Sequence, residues 1–251
     1  MHDDHALAAA LAEAAGRRLL EVRDGADGVP AAALRDAGDA AAQDELARLL
    51  AEHRPGDAVL SEEAADDPAR LDADRVWIVD PLDGTREFSE PPRTDWAVHV
   101  ALWQRGALAA GAVALPAAGV VYRTDRPATV PAAAAGPLRL AVSRTRPPAF
   151  VQQVADLLGA ELVPMGSAGV KATAVLRDEA DAYLHAGGQY EWDSAAPVAV
   201  AAAAGLHTSR VDGSPLVYNR SDPSLPDLLV CRPEHARTLL DAVATVTGGA
   251  P

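Results

Sequence analysis

One cysteine, Cys231, stands in 251 residues, which excludes an intrachain disulfide and a thiolate zinc cluster. Aromatic side chains are only 4% of the chain, and much of its 49% hydrophobic content is alanine. That balance argues for close-packed helices rather than an aromatic core, and against disorder. No stretch approaches twenty consecutive apolar residues, and the N-terminal MHDDHALAAALAEAAG is acidic and amphipathic rather than a signal peptide. A soluble, cytoplasmic protein without a membrane partner is expected. Nor is there an excess of positive charge. The formal net charge of −14 disfavours a nucleic-acid polymer or an anionic membrane, since both need a basic surface. It leaves room for a small phosphate ester, provided that metal cations, local Arg or Lys and helix N-termini offset the field. No internal repeat is visible, and the length predicts one domain of two subdomains or two small domains, enough to bury a large core.

What is present centres on Trp77 to Phe88, WIVDPLDGTREF. Val76-Trp77-Ile78-Val79 is an apolar, β-branched run of strand length. It breaks at Asp80-Pro81 into a turn that carries a second carboxylate, Asp83, then Gly84 and Thr85. Pro81 has a fixed φ and no N–H, so it is expected to end the strand. Gly84 permits positive φ or close approach of a ligand to the backbone. Two carboxylates and a backbone carbonyl in one turn are hard oxygen donors, the preference of Mg²⁺, and Thr85 adds a hydroxyl that can orient water.

Around this motif the chain reads in order. Helical spacing of Leu7, Leu11, Ala14, Ala15, Arg18 and Val22 predicts an amphipathic helix over about 4–23. Residues 24–36 read as a loop, and Asp39, taken alone, as the N-cap of a helix running to about 54. Ala58-Val59-Leu60 is a short strand delivering Ser61-Glu62-Glu63. Strands are predicted at 96–103, 108–115 and 120–124, as an antiparallel run of three. His99, inside the first of these, reads as a core or edge residue. The Ala/Pro-rich stretch 127–137 is the predicted boundary between an N-terminal α+β subdomain, 1–130, and a C-terminal α/β subdomain, 131–251. Beyond it strands (138–142, 161–164, 180–185, 206–209, 228–231) alternate with helices (148–159, 168–177, 194–204, 233–246), the pattern of a layered α/β sandwich.

Glu191-Trp192-Asp193-Ser194 runs into a helix, with Asp193 as its N-cap in the plainest reading and Pro197 early in the helix. Gly166-Ser167-Ala168-Gly169 is a second small-residue helix entry, with Lys171 in its first turn. Its amides and one ammonium could hold a second phosphate or a sugar hydroxyl. Glu62, Asp80, Asp83 and Asp193 are four carboxylates at element ends, and gathered together they would repel unless divalent cations lay between them. Two metals roughly 3.5–4 Å apart would clamp a phosphate and help to ionise a water. Phosphatases of the haloacid dehalogenase superfamily use D-x-D-G-T with a nucleophilic aspartate. Here one extra residue separates Asp80 from Asp83 and the motif lies well inside the chain, which argues against a covalent aspartyl mechanism.

WIVDPLDGTREF, with LSEE upstream and EWDSAA downstream, resembles the inositol monophosphatase superfamily of Mg²⁺-dependent, lithium-inhibited phosphatases, over nearly the whole chain and in matching order. The resemblance implies that fold with two subdomains, two or more Mg²⁺ per site and a homodimer. It places Glu62, Asp80 and the Leu82 carbonyl at one metal and Asp80, Asp83 and Asp193 at the second. Thr85 with Glu62 would activate water, Asp39 would support Thr85, and Gly84, Thr85 and the Asp193 helix entry would meet the phosphate. The segments DPLDGTREFS, TDWAVHVALW, GSAGVKA and DAYLHAGGQYEWDSAAP are most similar to 3′(2′),5′-bisphosphate nucleotidases of the CysQ type. Those act on 3′-phosphoadenosine 5′-phosphate, a by-product of sulfate activation. Arg86, Ser167 and Lys171 would then contact the substrate, the two cations meeting its additional negative charge. Inositol monophosphatase or fructose-1,6-bisphosphatase activity, alone or in addition, is the nearest enzymatic alternative, and an inactive nucleotide sensor the non-enzymatic one. Two departures stand out: Arg35-Asp36-Ala37-Gly38-Asp39 keeps only the last residue of the family's V-T-x-A-D, and Pro197 replaces a common glycine.

Overall fold

The computed structural model describes residues 3–133 and 135–248. Helices α1 (Asp4–Asp24) and α2 (Ala31–His53) come first. A five-stranded sheet follows in chain order: β1 (Ala58–Ser61), β2 (Arg75–Asp83), β3 (Ala97–Gln104), β4 (Ala107–Leu115) and β5 (Val120–Arg123). β1 is parallel to β2 and the rest are antiparallel. A one-turn helix, α3 (Thr85–Phe88), leaves the end of β2. The second sheet is ordered β7 (Glu161–Met165), β6 (Arg139–Ser143), β8 (Ala182–Tyr190), β10 (Ser224–Cys231) and β9 (His207–Ser209). Its helices are α4 (Ala149–Leu158), α5 (Ala168–Ala174), α6 (Glu191–Ala203) and α7 (Ala236–Thr247).

Burial explains the layering. Successive residues of β2 face opposite sides of the sheet. Trp77 and Val79 therefore pack with Leu7, Leu11 and Leu46 of α1 and α2, whereas Val76 and Ile78 pack with Val170 and Ala195 of α5 and α6. A strand covered on both faces reads as an unbroken apolar run rather than an alternation. Tyr183 and Val230 of the second sheet share the cluster of α5 and α6, and α4 and α7 cover that sheet's far face through Val151, Val154, Leu239 and Val243. The result is an α/β/α/β/α sandwich whose middle helical layer is alanine-rich. That is where the small residues go: a Cβ on Gly111 of β4 would lie 2.8 Å from the Ala199 methyl of α6. Among the described residues no helix is long and apolar enough to cross a membrane.

Three local expectations are corrected. The predicted loop over 24–36 is shorter, because α2 starts at Ala31 behind Pro30. Asp39 therefore lies inside α2 and is not its N-cap. β2 does not stop at Pro81 but runs to Asp83. Its register against β3 slips between Asp80, paired with His99, and Asp83, paired with Ala97, and such a bulge has no use for the N–H that Pro81 lacks. Finally, α6 starts at Glu191, so Asp193 is in its first turn, accepting a hydrogen bond from the Tyr190 N–H at 2.7 Å.

Candidate active site

The bulged end of β2 points its carboxylates into the gap between the first sheet and the middle helices. Asp80 is buried, and its Oδ1 accepts the Leu82 N–H at 3.1 Å, folding the turn back on itself. Gly84 then adopts φ +88, a left-handed conformation in which a side chain would also crowd Ser167 and the Asp95 carbonyl. That reversal presents the Leu82 carbonyl to the Thr85 hydroxyl, which donates to it at 3.0 Å. Asp39 reaches the same hydroxyl from α2, at 3.5 Å.

Asp193 arrives from the opposite side, on the first turn of α6. Asp80, Asp83 and Asp193 each bring one oxygen within 4.8 Å of the others. Glu62, at the end of β1, stands beside this trio, its carboxyl against that of Asp80. The four predicted acids thus converge from β1, β2 and α6. Asp80 Oδ2 is buried without a hydrogen-bond partner, a costly position for a carboxylate unless a proton or a cation meets it. An all-oxygen donor set with an orphaned buried oxygen fits a hard divalent cation, and the cluster can hold a metal ion.

The electrostatics follow from crowding. Burial, then the charges of Glu62 and Asp83, hold Asp80 well above the usual carboxylate range. Burial and the Asp83 charge push Asp193 to about 7. Glu62, though partly open to solvent, also rises to about 7 through lost hydration and the charges of Asp193, Asp83 and Glu63. Asp39 goes to about 6, again through burial, with Glu63 adding to it and the Thr85 hydroxyl opposing. Asp83 is the exception. Burial would raise it, but the His99 imidazole close beside it, with Lys171 and the Ser167 hydroxyl, holds it at about 2. Asp83 is thereby held as an anion, while the raised acids beside it carry protons that a cation in the cluster would displace.

The Gly166–Gly169 entry serves Asp83 rather than an open anion site. Gly169 N–H donates to Asp83 Oδ2 at 2.8 Å, the Ser167 hydroxyl donates to the same oxygen, and Val170 N–H is taken by Ser167 Oγ. Lys171, the chain's sole lysine, is buried. Its ammonium donates to the Ser167 and Gly166 carbonyls at 2.5 and 3.4 Å and lies 5.3 Å from the Tyr183 ring centre. Ser167 and Lys171, expected at the substrate, are thus engaged in holding their own turn around Asp83. Arg86 is exposed just beyond Thr85.

Two features escaped the sequence. His99 lies against Asp83, and its polarity inside an apolar strand next to the motif was the available signal. The other is a stacked pair, Tyr190 and Trp192, with ring centres 4.8 Å apart and planes 10° from parallel; Tyr190 is 45% exposed.

A sequence profile of the inositol monophosphatase family matches residues 4–246. The chain is 58% identical over 238 residues to the 3′-phosphoadenosine 5′-phosphate phosphatase of Mycobacterium bovis, covering 92% of this chain and 89% of that protein. It is 31% identical to the 3′(2′),5′-bisphosphate nucleotidase CysQ of Escherichia coli K12, covering 83% and 91%. Among solved structures, CysQ from Bacteroides thetaiotaomicron superposes with a TM-score of 0.74 at 27% identity, over 91% of this chain and 97% of that one. Inositol monophosphatase-II from Staphylococcus aureus superposes with a TM-score of 0.79 at 21% identity, over 94% and 93%; at that identity the likeness is one of fold.

Proposed function

The chain belongs to the inositol monophosphatase family, and from that membership we propose that it hydrolyses the 3′-phosphate of 3′-phosphoadenosine 5′-phosphate, giving AMP and phosphate. The observation that carries the chemistry is the convergence of Asp80, Asp83 and Asp193 beside the Thr85–Asp39 pair. The substrate is supported by relatives that carry this activity in their names at 58% and 31% identity. In this reading Glu62, Asp80, the Leu82 carbonyl, Asp83 and Asp193 hold two or more Mg²⁺. When bound, such ions stabilise charge on the phosphoryl oxygens and lower the cost of ionising a water.

The residues of the chain have the remaining tasks. Glu62 and Thr85 orient the attacking water, and Asp39, ionised above about pH 6, accepts the hydrogen bond that aims the Thr85 hydroxyl. The water gives up one proton, the departing 3′-oxygen gains one, and no bond to the enzyme forms. The turn Gly84–Thr85, whose N–H groups open α3 and lack helical acceptors, receives the phosphate together with the first turn of α6. Arg86 meets the second phosphate as a charge-assisted donor. Ser167 and Lys171 act on the site by holding Asp83. In this reading the exposed face of Tyr190 takes the base, since stacking on an aromatic ring suits any purine. A division near residue 130, with the site between the two parts, belongs to the same proposal, as do a cytoplasmic setting and a homodimer. Identifying the product tests the assignment: release of 5′-AMP is expected, and 3′-AMP would place the wrong phosphate at the metal.

A further inference from the structure

The reaction described above makes no use of His99, although its side chain is fully buried in the middle of the site. Its neighbours on β3, Ala97, Val98, Val100, Ala101 and Leu102, are apolar and equally buried, so the imidazole is the one group there that must find polar partners. Its polar neighbours lie on separate elements, and only Nδ1 makes a hydrogen bond. Nδ1 lies 3.1 Å from the Trp192 carbonyl oxygen. A carbonyl can only accept, so Nδ1 carries a proton. Nε2 lies 3.2 Å from Asp83 Oδ2, within ion-pair distance but without the alignment of a hydrogen bond, and Nδ1 is 3.8 Å from Asp80 Oδ2. Trp192 immediately precedes Asp193. The ring therefore spans from the Asp83 carboxylate to the turn that carries Asp193.

The opposing helix is cut to admit this ring. A Cβ on Gly169 of α5 would sit 2.1 Å from His99 Nε2 and 3.0 Å from two ring carbons. The Gly169 N–H meanwhile donates to the same Asp83 oxygen that Nε2 faces. Glycine at 169 and histidine at 99 thus form one device, packed directly against each other and both facing Asp83 Oδ2.

We propose that His99 is a positioning residue that sets the spacing and orientation of Asp83 relative to Asp193, with Gly169 as its obligatory counterpart. The inference rests on the reading that these two carboxylates share a cation, and adds a residue to it that never touches the cation or the substrate. Partners that orient a ligand from behind are worth about tenfold to a hundredfold in metal affinity. A histidine that only filled space between the first sheet and the middle helices would contribute to stability and leave affinity alone.

The test is Mn²⁺ binding to the intact protein without substrate, read from the free-Mn²⁺ electron paramagnetic resonance signal, alongside the melting temperature without metal. His99→Ala and Gly169→Ala are each expected to weaken Mn²⁺ binding about tenfold to a hundredfold in protein that remains folded. The double variant should bind no more weakly than His99→Ala alone, because removing the ring makes room for the new methyl. His99→Gln, whose amide N–H reaches one partner but not both, should fall between wild type and His99→Ala. Wild-type Mn²⁺ affinity in His99→Ala, with only a lower melting temperature, would overturn the proposal. So would losses in the two single variants that multiply in the double. A wild-type protein that takes up no Mn²⁺ would remove the cation reading and this inference with it, a result distinct from a variant that matches a wild type that binds.

Discussion

Thr85 Oγ1 lies 3.0 Å from the Leu82 carbonyl and 3.5 Å from Asp39, a residue 46 positions earlier on another helix. The hydroxyl has one proton and two acceptors, so its direction is decided by which acceptor holds it. If Asp39 aims Thr85 at the attacking water, Asp39→Asn and Thr85→Ala should lower kcat by about 10²–10⁴, the range of a positioned proton-transfer group. Metal affinity should change little, since neither side chain is an assigned ligand. Equal losses in kcat and metal affinity would move Asp39 into the metal site.

Asp83→Asn should reduce both metal affinity and turnover by more than about a hundredfold, because it removes a ligand rather than an outer partner. It also leaves His99 facing a neutral amide, so some stability should be lost while the far-ultraviolet circular dichroism stays that of the folded chain. Near-wild-type activity in this variant would break the ligand assignment.

The raised acids also predict how stability depends on pH. With Asp80 raised and Glu62 and Asp193 near 7, these three carboxyls bind more protons in the metal-free folded chain than in the unfolded one from about pH 4.5 to about pH 8. Stability therefore falls as pH rises through that range. His185, pushed down to about 4 by burial, works in the opposite sense but only below about 6.5. Between pH 6.5 and 8 the metal-free protein should thus lose a few degrees in melting temperature, with partly exposed Glu62 contributing least. Saturating Mg²⁺ should flatten the trend by taking the place of those protons. A metal-free melting temperature that rises over this interval would contradict the crowding argument.

Tyr190 offers a check on the substrate side. If its exposed face stacks on adenine, Tyr190→Ala should raise KM for the adenosine bisphosphate about 5- to 150-fold, matching a stacking contribution of about 1–3 kcal/mol. Hydrolysis of a phosphate ester without a base should be unaffected. Equal losses on both substrates would mean that the ring supports Asp193 and nothing more.

The carboxylates were legible because the motif confines two of them to one turn and because Glu62 and Asp193 end their own short elements. Asp39 was harder. In an alanine-rich helix with little apolar contrast, Pro30 reads as part of the loop over 24–36, and Gly38, just beyond it, gives no helix signal. Gly38 is instead a packing residue of α2, where a Cβ would meet the Phe88 ring at 2.6 Å and Leu82 at 2.9 Å. Lys171 showed the reverse difficulty. Its place in a first helical turn suggested an anion contact, but sequence spacing does not show that its ammonium folds back onto two carbonyls of its own turn. His99 required the register of β2 against β3, which pairs it with Asp80 and which no single strand contains. The layers were visible in the change of rhythm after residue 137. The shared middle layer was not, since it is built from helices that follow strands of the second sheet yet pack on the first.

The most direct measurement is phosphate release from 3′-phosphoadenosine 5′-phosphate, inositol 1-phosphate and fructose 1,6-bisphosphate, each with Mg²⁺ and with a chelator. Release that favours the nucleotide and disappears with the chelator is the predicted result. A preference for inositol phosphate or the sugar bisphosphate would keep the metal site and contradict the substrate, and release that survives the chelator would contradict the metal site itself.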